Sequence, residues 1–353
     1  MLTRIVDCTA GCNSNDLFQA AALLKDGQLV AFPTETVYGL GGSAYNRNAI
    51  QNIFTAKGRP SDNPLIVHVD SIEMARAVVS DLSIKAEELI HQFWPGPLTL
   101  VLPRSSRIPD EITAGLSTVA VRMPDHPVAL NLIQACGLPI AAPSANLSGR
   151  PSPTSAEHVM LDLQGRIPLI LNGGPCREGV ESTVLDLNRT RPVILRPGAV
   201  TFEMLLPFLP DLLDVPNPHI SEVSIPRAPG MKYQHYSPSA PITLYSGSQR
   251  AVCQHMKDAI EEAHNNGVKV AVILTQYPCS TAADLVFDLS DPEEEIMLHR
   301  TAQELFRCFR ECDAGGVHRI LLQGVSEKDL GRAVMNRMVK AAKEWIRLDG
   351  IES

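Results

Sequence analysis

With 353 residues and 44% apolar content, the chain is long enough for two domains, each burying its own core. A formal charge of -8 excludes a surface-wide basic grip on nucleic acid, since holding a phosphate backbone needs a basic excess; only a local basic cleft stays open. No apolar run reaches the roughly 18 to 20 residues of a membrane span, and the opening MLTRIVDCTAGC lacks the apolar core of a secretory signal, so a cytoplasmic location without membrane contact is expected.

In chain order, the apolar spacing over residues 15 to 26 predicts a helix capped by Asn15 and stopped by Gly27, with LVAFP following as a short buried strand. A helix is expected near 47 to 56. Strands are predicted at 64–69, 98–102, 118–124, 138–142, 167–171, 182–187 and 192–197, which makes this part an α/β domain with a large twisted mixed sheet. Eight prolines between Pro207 and Pro241 rule out a continuous helix or central strand and predict a linker over 207–241. It contains APGMKYQHYSP (228–238), too aromatic and basic for a passive tether, and is expected to fold back over the first domain. Beyond it, ITLYS, a helix over 248–263, VKVAVILT (268–275), a helix over 292–313, RILLQG (319–324) and a final helix predict a smaller Rossmann-like α/β domain over 242–353.

The eight cysteines have no disulfide-framework spacing, and neither Cys8 and Cys12 nor Cys308 and Cys312 has a second Cys or His pair at zinc spacing. Reduced thiols and no metal are expected. The phosphate-binding GxxxxGK[ST] and the nucleophile elbow GxSxG are absent. Gly39, Gly41 and Ala44 fit GxGxxA, but the acidic residue near the expected position is Asp62, inside a proline-bounded turn, which disfavours a dinucleotide site.

Polar clusters gather where strands end, the usual place for ligands on open α/β sheets: PTETVYGLGG (33–42), KGRPSDNPLIVH (57–68), PSANLSGRPSPT (143–154) and GVESTV (179–184). Arg122 and Arg196 end strands of their own. Lys57 and Arg59 sit in a turn set by Gly58 and Pro60, so both side chains can address one anion. Ser144, Asn146, Ser182 and Thr183 supply further donors. Taken singly, each has an ordinary explanation: a solvated basic loop, a capped turn at Ser144 and Asn146, a turn former at Asn63, a core histidine at His68, and hydroxyl turns at Thr34 and Thr36. Their combination points to a site that binds a phosphate chain.

FPTETVYGLGG, AKGRPSDNPLIVH, FWPGPLTLVL, TVAVRMPDHP, PIAAPSANLSGRPSPT, GVESTVLD and ILRPGA together resemble the Sua5/YrdC family of L-threonylcarbamoyladenylate synthases. The likeness covers residues 14–200, with 1–206 as the YrdC-like catalytic domain; the linker and the 242–353 segment are similar to the longer, two-domain Sua5 type. The resemblance implies that L-threonine, bicarbonate or CO2, and ATP with Mg2+ form threonylcarbamoyl-AMP and pyrophosphate, the product passing to a transfer complex that modifies adenosine 37 of tRNA. Direct contact of tRNA with this chain stays open. By the same resemblance Lys57 and Arg59 are the catalytic pair, and the ATP site comprises Lys57, Arg59, Asn63, Thr118, Ser144, Asn146, Arg196 and Tyr236, the last as a lid residue. Thr34, His68, Arg122 and Ser182 would hold threonine, with no protein metal ligand and no identified general base. The alternatives are a carbamoyltransferase working through a related adenylate, whose zinc-finger segments are missing here, and a non-catalytic RNA-binding module, which the acidic balance opposes.

Overall fold

The computed structural model describes residues 2–213, 236–279 and 282–348. The chain divides into two compact units, Met1–Ser148 with Ser152–Tyr233, and Gly149–Pro151 with Gln234–Ser353.

The first unit is built on ten strands: β1 Arg4–Asp7, β2 Val30–Phe32, β3 Gly39–Ser43, β4 Ile66–His68, β5 Leu98–Pro103, β6 Thr118–Arg122, β7 Ile140–Ala141, β8 Leu169–Asn172, β9 Thr183–Asp186 and β10 Val193–Arg196. They form one mixed sheet in the order β1-β8-β2-β3-β7-β4-β6-β5-β9-β10. Because side chains alternate across a strand, the register decides which residues share a face. Val67, Leu100, Leu102, Val119, Val121, Leu185 and Ile194 point to one side, where helices Arg47–Lys57, Ile84–Phe93 and Ala156–Leu163 add Ile50, Ile53, Leu89, Ile90 and Val159 to the main core. On the other side, helices Ser14–Lys25 and Pro127–Cys136 pack over Val30, Phe32, Ile140 and Leu171. The same face of β4, β6, β5, β9 and β10 carries a separate apolar cluster, Ile66, Val101, Ala120, Val184, Val193 and Leu195, drawn entirely from strand residues. The polar residues considered below flank this strip.

Several local expectations change. The first helix is capped by Asn13, whose side chain accepts from the Asp16 amide, rather than by Asn15. The GxGxxA residues Gly39 and Gly41 lie inside β3, where a Cβ at Gly41 would sit 2.8 Å from the Phe32 ring and 2.9 Å from Ile140. Those glycines admit a neighbouring side chain and do not cradle a phosphate. Residues 207–213, on the linker side of the expected boundary, pack with the first unit: Leu209 and Leu212 are buried in its core, and Leu213 bridges to Val193. The rest of the expected linker, to residue 235, lies outside the described residues. Cys253 and Cys279, 26 positions apart, are joined as a disulfide and Cys8 lies against Cys12, correcting the expectation of reduced thiols throughout, while Cys136, Cys176, Cys308 and Cys312 are free and buried.

The second unit holds a five-stranded parallel sheet of β11 Ile242–Ser246, β12 Val270–Leu274, β13 Leu285–Asp288, β14 Arg319–Gln323 and β15 Glu344–Arg347, ordered β13-β12-β14-β11-β15. Helices Gln249–Asn265, Glu294–Ala314 and Asp329–Ala341 cross over from β11 to β12, from β13 to β14 and from β14 to β15. Among the described residues no helix is long and apolar enough to cross a membrane.

Candidate active site

At one end of the strip, polar side chains follow one another across five neighbouring strands. His68 ends β4 beside Arg122, its registered partner at the end of β6. On β5, the hydroxyl of Thr99 lies 2.8 Å from that of Ser182, which immediately precedes β9. Arg196 ends β10 and donates from Nε to the Ser182 carbonyl and from Nη2 to the Ser182 hydroxyl, each at 3.1 Å. Ser182 therefore ties two regions that the sequence assigns to different substrates. The close approach depends on Gly198: a Cβ there would lie 2.2 Å from the Thr183 nitrogen and 2.7 Å from the Glu181 oxygen.

The opposite end of the strip belongs to the cations and the SxN loop. Lys57 is the last residue of its helix, which Gly58 closes in the left-handed conformation. Lys57 is buried, and its Nζ donates to the carbonyls of Ser144 and Asn146, so a positive charge sits directly beneath that loop. The Ser144 hydroxyl in turn donates to Asn146 Oδ1. Beyond Gly58 the chain turns back, and Arg59 Nη2 donates to the Pro64 carbonyl at 3.1 Å. Thr118 starts β6 on the same face as Arg122, four residues and roughly 13 Å away at strand rise. Thr34 lies in the β2–β3 connection, where its hydroxyl donates to the Val37 carbonyl at 2.6 Å and contacts the Thr36 hydroxyl at 2.8 Å.

Several buried polar atoms have no hydrogen-bond partner among the described residues: Oδ1 and Nδ2 of Asn63, and Nδ1 of His68. An unsatisfied buried group costs about 1–3 kcal/mol, so such atoms concentrate where a ligand completes them. Burial and the neighbouring Arg122 charge push the His68 imidazole down to about 3, so it is neutral at pH 7 and can accept as well as donate. Burial raises the Cys176 thiol well above its usual range, keeping it protonated and inert as a nucleophile. Among the described residues no group of three or more His, Cys, Asp or Glu side chains is placed to hold a metal.

The structure thus gathers Lys57, Arg59, Asn63, Ser144, Asn146 and Thr118 toward one end of the strip and His68, Arg122, Ser182 and Arg196 toward the other. Tyr236 belongs to the second unit, where its buried ring packs against Phe306 at 5.3 Å between centroids. Glu35 and Thr99 escaped sequence reasoning, and Thr36 entered it only as a hydroxyl turn. Glu35 is 1% exposed, with Oε2 2.6 Å from Arg122 Nη2. Thr36 accepts from Arg122 Nη1 at 2.9 Å. Thr99 interrupts the apolar run LTLVL as a polar residue on the strip face, a signal that strict alternation along β5 could have revealed.

Residues 22–198 match the family grouping Sua5, YciO and YrdC, described as telomere recombination, and residues 200–343 match the C-terminal domain of threonylcarbamoyl-AMP synthase. The chain is 49% identical to the threonylcarbamoyl-AMP synthase of Pyrococcus abyssi, over 92% of this chain and 93% of that protein. It is 46% identical to the protein of the same name from Bacillus subtilis, over 96% of each. The crystal structure of P. abyssi Sua5 complexed with L-threonine superposes with a TM-score of 0.92 at 45% identity, covering 98% of this chain and 100% of that one.

Proposed function

This chain belongs to the Sua5/YrdC family, and on that premise we propose that it is a threonylcarbamoyl-AMP synthase. It condenses L-threonine, bicarbonate or CO2, and ATP into L-threonylcarbamoyladenylate and pyrophosphate, for N6-threonylcarbamoyladenosine formation at position 37 of tRNAs. The observation that carries the reading is the strip itself, with Lys57, Arg59 and the Ser144–Asn146 loop toward one end and Arg122, Ser182 and Arg196, the last two in direct contact, toward the other.

The threonine amine adds to CO2 to give a carbamate, whose oxygen attacks the α-phosphorus of ATP and expels pyrophosphate. Phosphoryl-group chemistry of this kind depends on positioning and charge neutralisation more than on covalent help from the protein. Arg59 and the Lys57 charge offset the phosphate charge, and Asn63, Thr118, Ser144 and Asn146 donate to phosphate or ribose. Arg196 is assigned to the nucleotide and donates to Ser182 of the threonine group. Thr34, neutral His68, Arg122 and Ser182 hold threonine, the guanidinium facing its carboxylate. Mg2+ bound with ATP would supply charge neutralisation on the phosphates and would ask no carboxylate cage of the protein. Classed by its chemistry the enzyme is a nucleotidyltransferase, working in the cytoplasm and handing its product to a tRNA threonylcarbamoyl transfer complex. Tyr236 is assigned to the lid over the nucleotide on the strength of the motif resemblance alone.

The test is pyrophosphate release from ATP with threonine and bicarbonate omitted in turn. Release that requires both supports the synthase; release indifferent to threonine leaves the adenylation chemistry but refutes the amino-acid assignment. Untouched ATP together with steeply salt-dependent RNA binding would make the chain a binding module.

A further inference from the structure

We propose that Glu35 is the positioning residue of the amino-acid subsite, acting through Arg122; the inference rests on the threonine assignment above. Arg122 is held in three directions. Its Nε donates to the Gly96 carbonyl at 3.1 Å, its Nη1 to the Thr36 hydroxyl at 2.9 Å, and its Nη2 lies 2.6 Å from Glu35 Oε2. The last contact is a close ion pair, and among the described residues no acceptor meets the Nη2 hydrogens in hydrogen-bond geometry. That is the disposition a guanidinium needs if it is to be fixed in place and still donate to a substrate carboxylate.

The position of Glu35 is itself specified by its surroundings. Thr34 Oγ1 accepts from the amides of Thr36 and Val37 at 3.2 Å each, closing a hydroxyl turn around Glu35. The Glu35 carbonyl accepts from the Glu178 amide at 2.7 Å, pinning the turn from outside. A buried carboxylate is costly unless a charge compensates it, and Arg122, 3% exposed, is the cation in contact. Each charge makes the burial of the other tolerable, and the pair arrives at the strip with its orientation settled before substrate binds.

The experiment uses Glu35→Asp in the full chain. It keeps the buried charge but withdraws the carboxylate by one methylene, out of contact with Arg122. KM for threonine is expected to rise about tenfold while KM for ATP stays within about twofold, since the nucleotide groups do not touch this pair. In the Glu35→Asp, Arg122→Lys double variant the loss is expected to equal that of Arg122→Lys alone, because a residue acting only through Arg122 has nothing left to position. Glu35→Gln, which keeps the length and an acceptor oxygen, should fall between wild type and Glu35→Asp. Unchanged threonine KM in Glu35→Asp, equal rises in both KM values, or losses that multiply in the double variant would each overturn the proposal. A wild-type enzyme indifferent to threonine would overturn the assigned reaction and this role together; a threonine-dependent wild type matched by Glu35→Asp would sink the role alone.

Discussion

Gly198→Ala tests how closely the end of β10 and the approach to β9 must pack for the site to exist. The added Cβ would meet the Thr183 nitrogen at 2.2 Å, the Ser182 carbonyl carbon at 2.5 Å and the Glu181 oxygen at 2.7 Å, all of them backbone. Non-bonded heavy atoms rest about 3.5 Å apart, so the two segments must separate by roughly 1 Å. No rotamer change can absorb that. The movement strains the hydrogen bond that the Thr183 amide donates to the Pro97 carbonyl (2.9 Å) and both contacts from Arg196 to Ser182. Overpacking of this kind costs about 1–3 kcal/mol, which for a unit of this size corresponds to a fall in Tm of roughly 2–4 °C per kcal/mol. Losing one bond to a charged group adds about 1.5–3 kcal/mol at the site, or roughly ten- to a hundredfold in kcat/KM. Scanning calorimetry and pyrophosphate release on the same preparation read both effects. A variant with Tm within about 1 °C and kcat/KM within about twofold of wild type would refute the argument.

Lys57→Met keeps the stem but removes the charge beneath the Ser144–Asn146 loop, and should lower kcat/KM for ATP by roughly 10- to 100-fold, the loss of about 1.5–3 kcal/mol; an unchanged value in the steady-state assay would take Lys57 out of the nucleotide site. His68 is more acidic in the folded protein than free, so the unfolded chain binds the extra proton: its contribution is intact above about pH 6.5 and is lost as pH falls toward about 3. Stability should therefore drop by about 1.4 kcal/mol per pH unit in that window, and His68→Asn should flatten the change in urea midpoint between pH 7 and pH 4.5; parallel pH profiles for the two proteins would contradict this. Thr99→Val removes the hydroxyl that meets Ser182 while preserving shape, and is expected to cost about 1 kcal/mol, near fivefold in kcat/KM for threonine; progress curves identical to wild type would show that the hydroxyl pair is idle.

What the sequence determined by itself was local. Short apolar runs bounded by Gly, Pro and polar residues announced β2, β4, β5, β6, β8, β9 and β10, because burial on both sides of a sheet writes itself as consecutive aliphatic residues. β1, β13 and β15 stayed hidden, since edge strands with mixed exposure carry no such run, and β3 was masked by its glycines. Basic, hydroxyl and amide residues at strand ends marked the candidate site and its phosphate chemistry. The tertiary structure alone decided that Ser182 joins Thr99 to Arg196 and that Glu35 and Thr36 hold Arg122. It also paired Cys253 with Cys279. Thr36 and Arg122 stand 86 positions apart, and Thr99 and Ser182 83, so no local periodicity records them. Their meeting follows from strand order and register, and a shift of one residue would turn these side chains to the opposite face of the sheet.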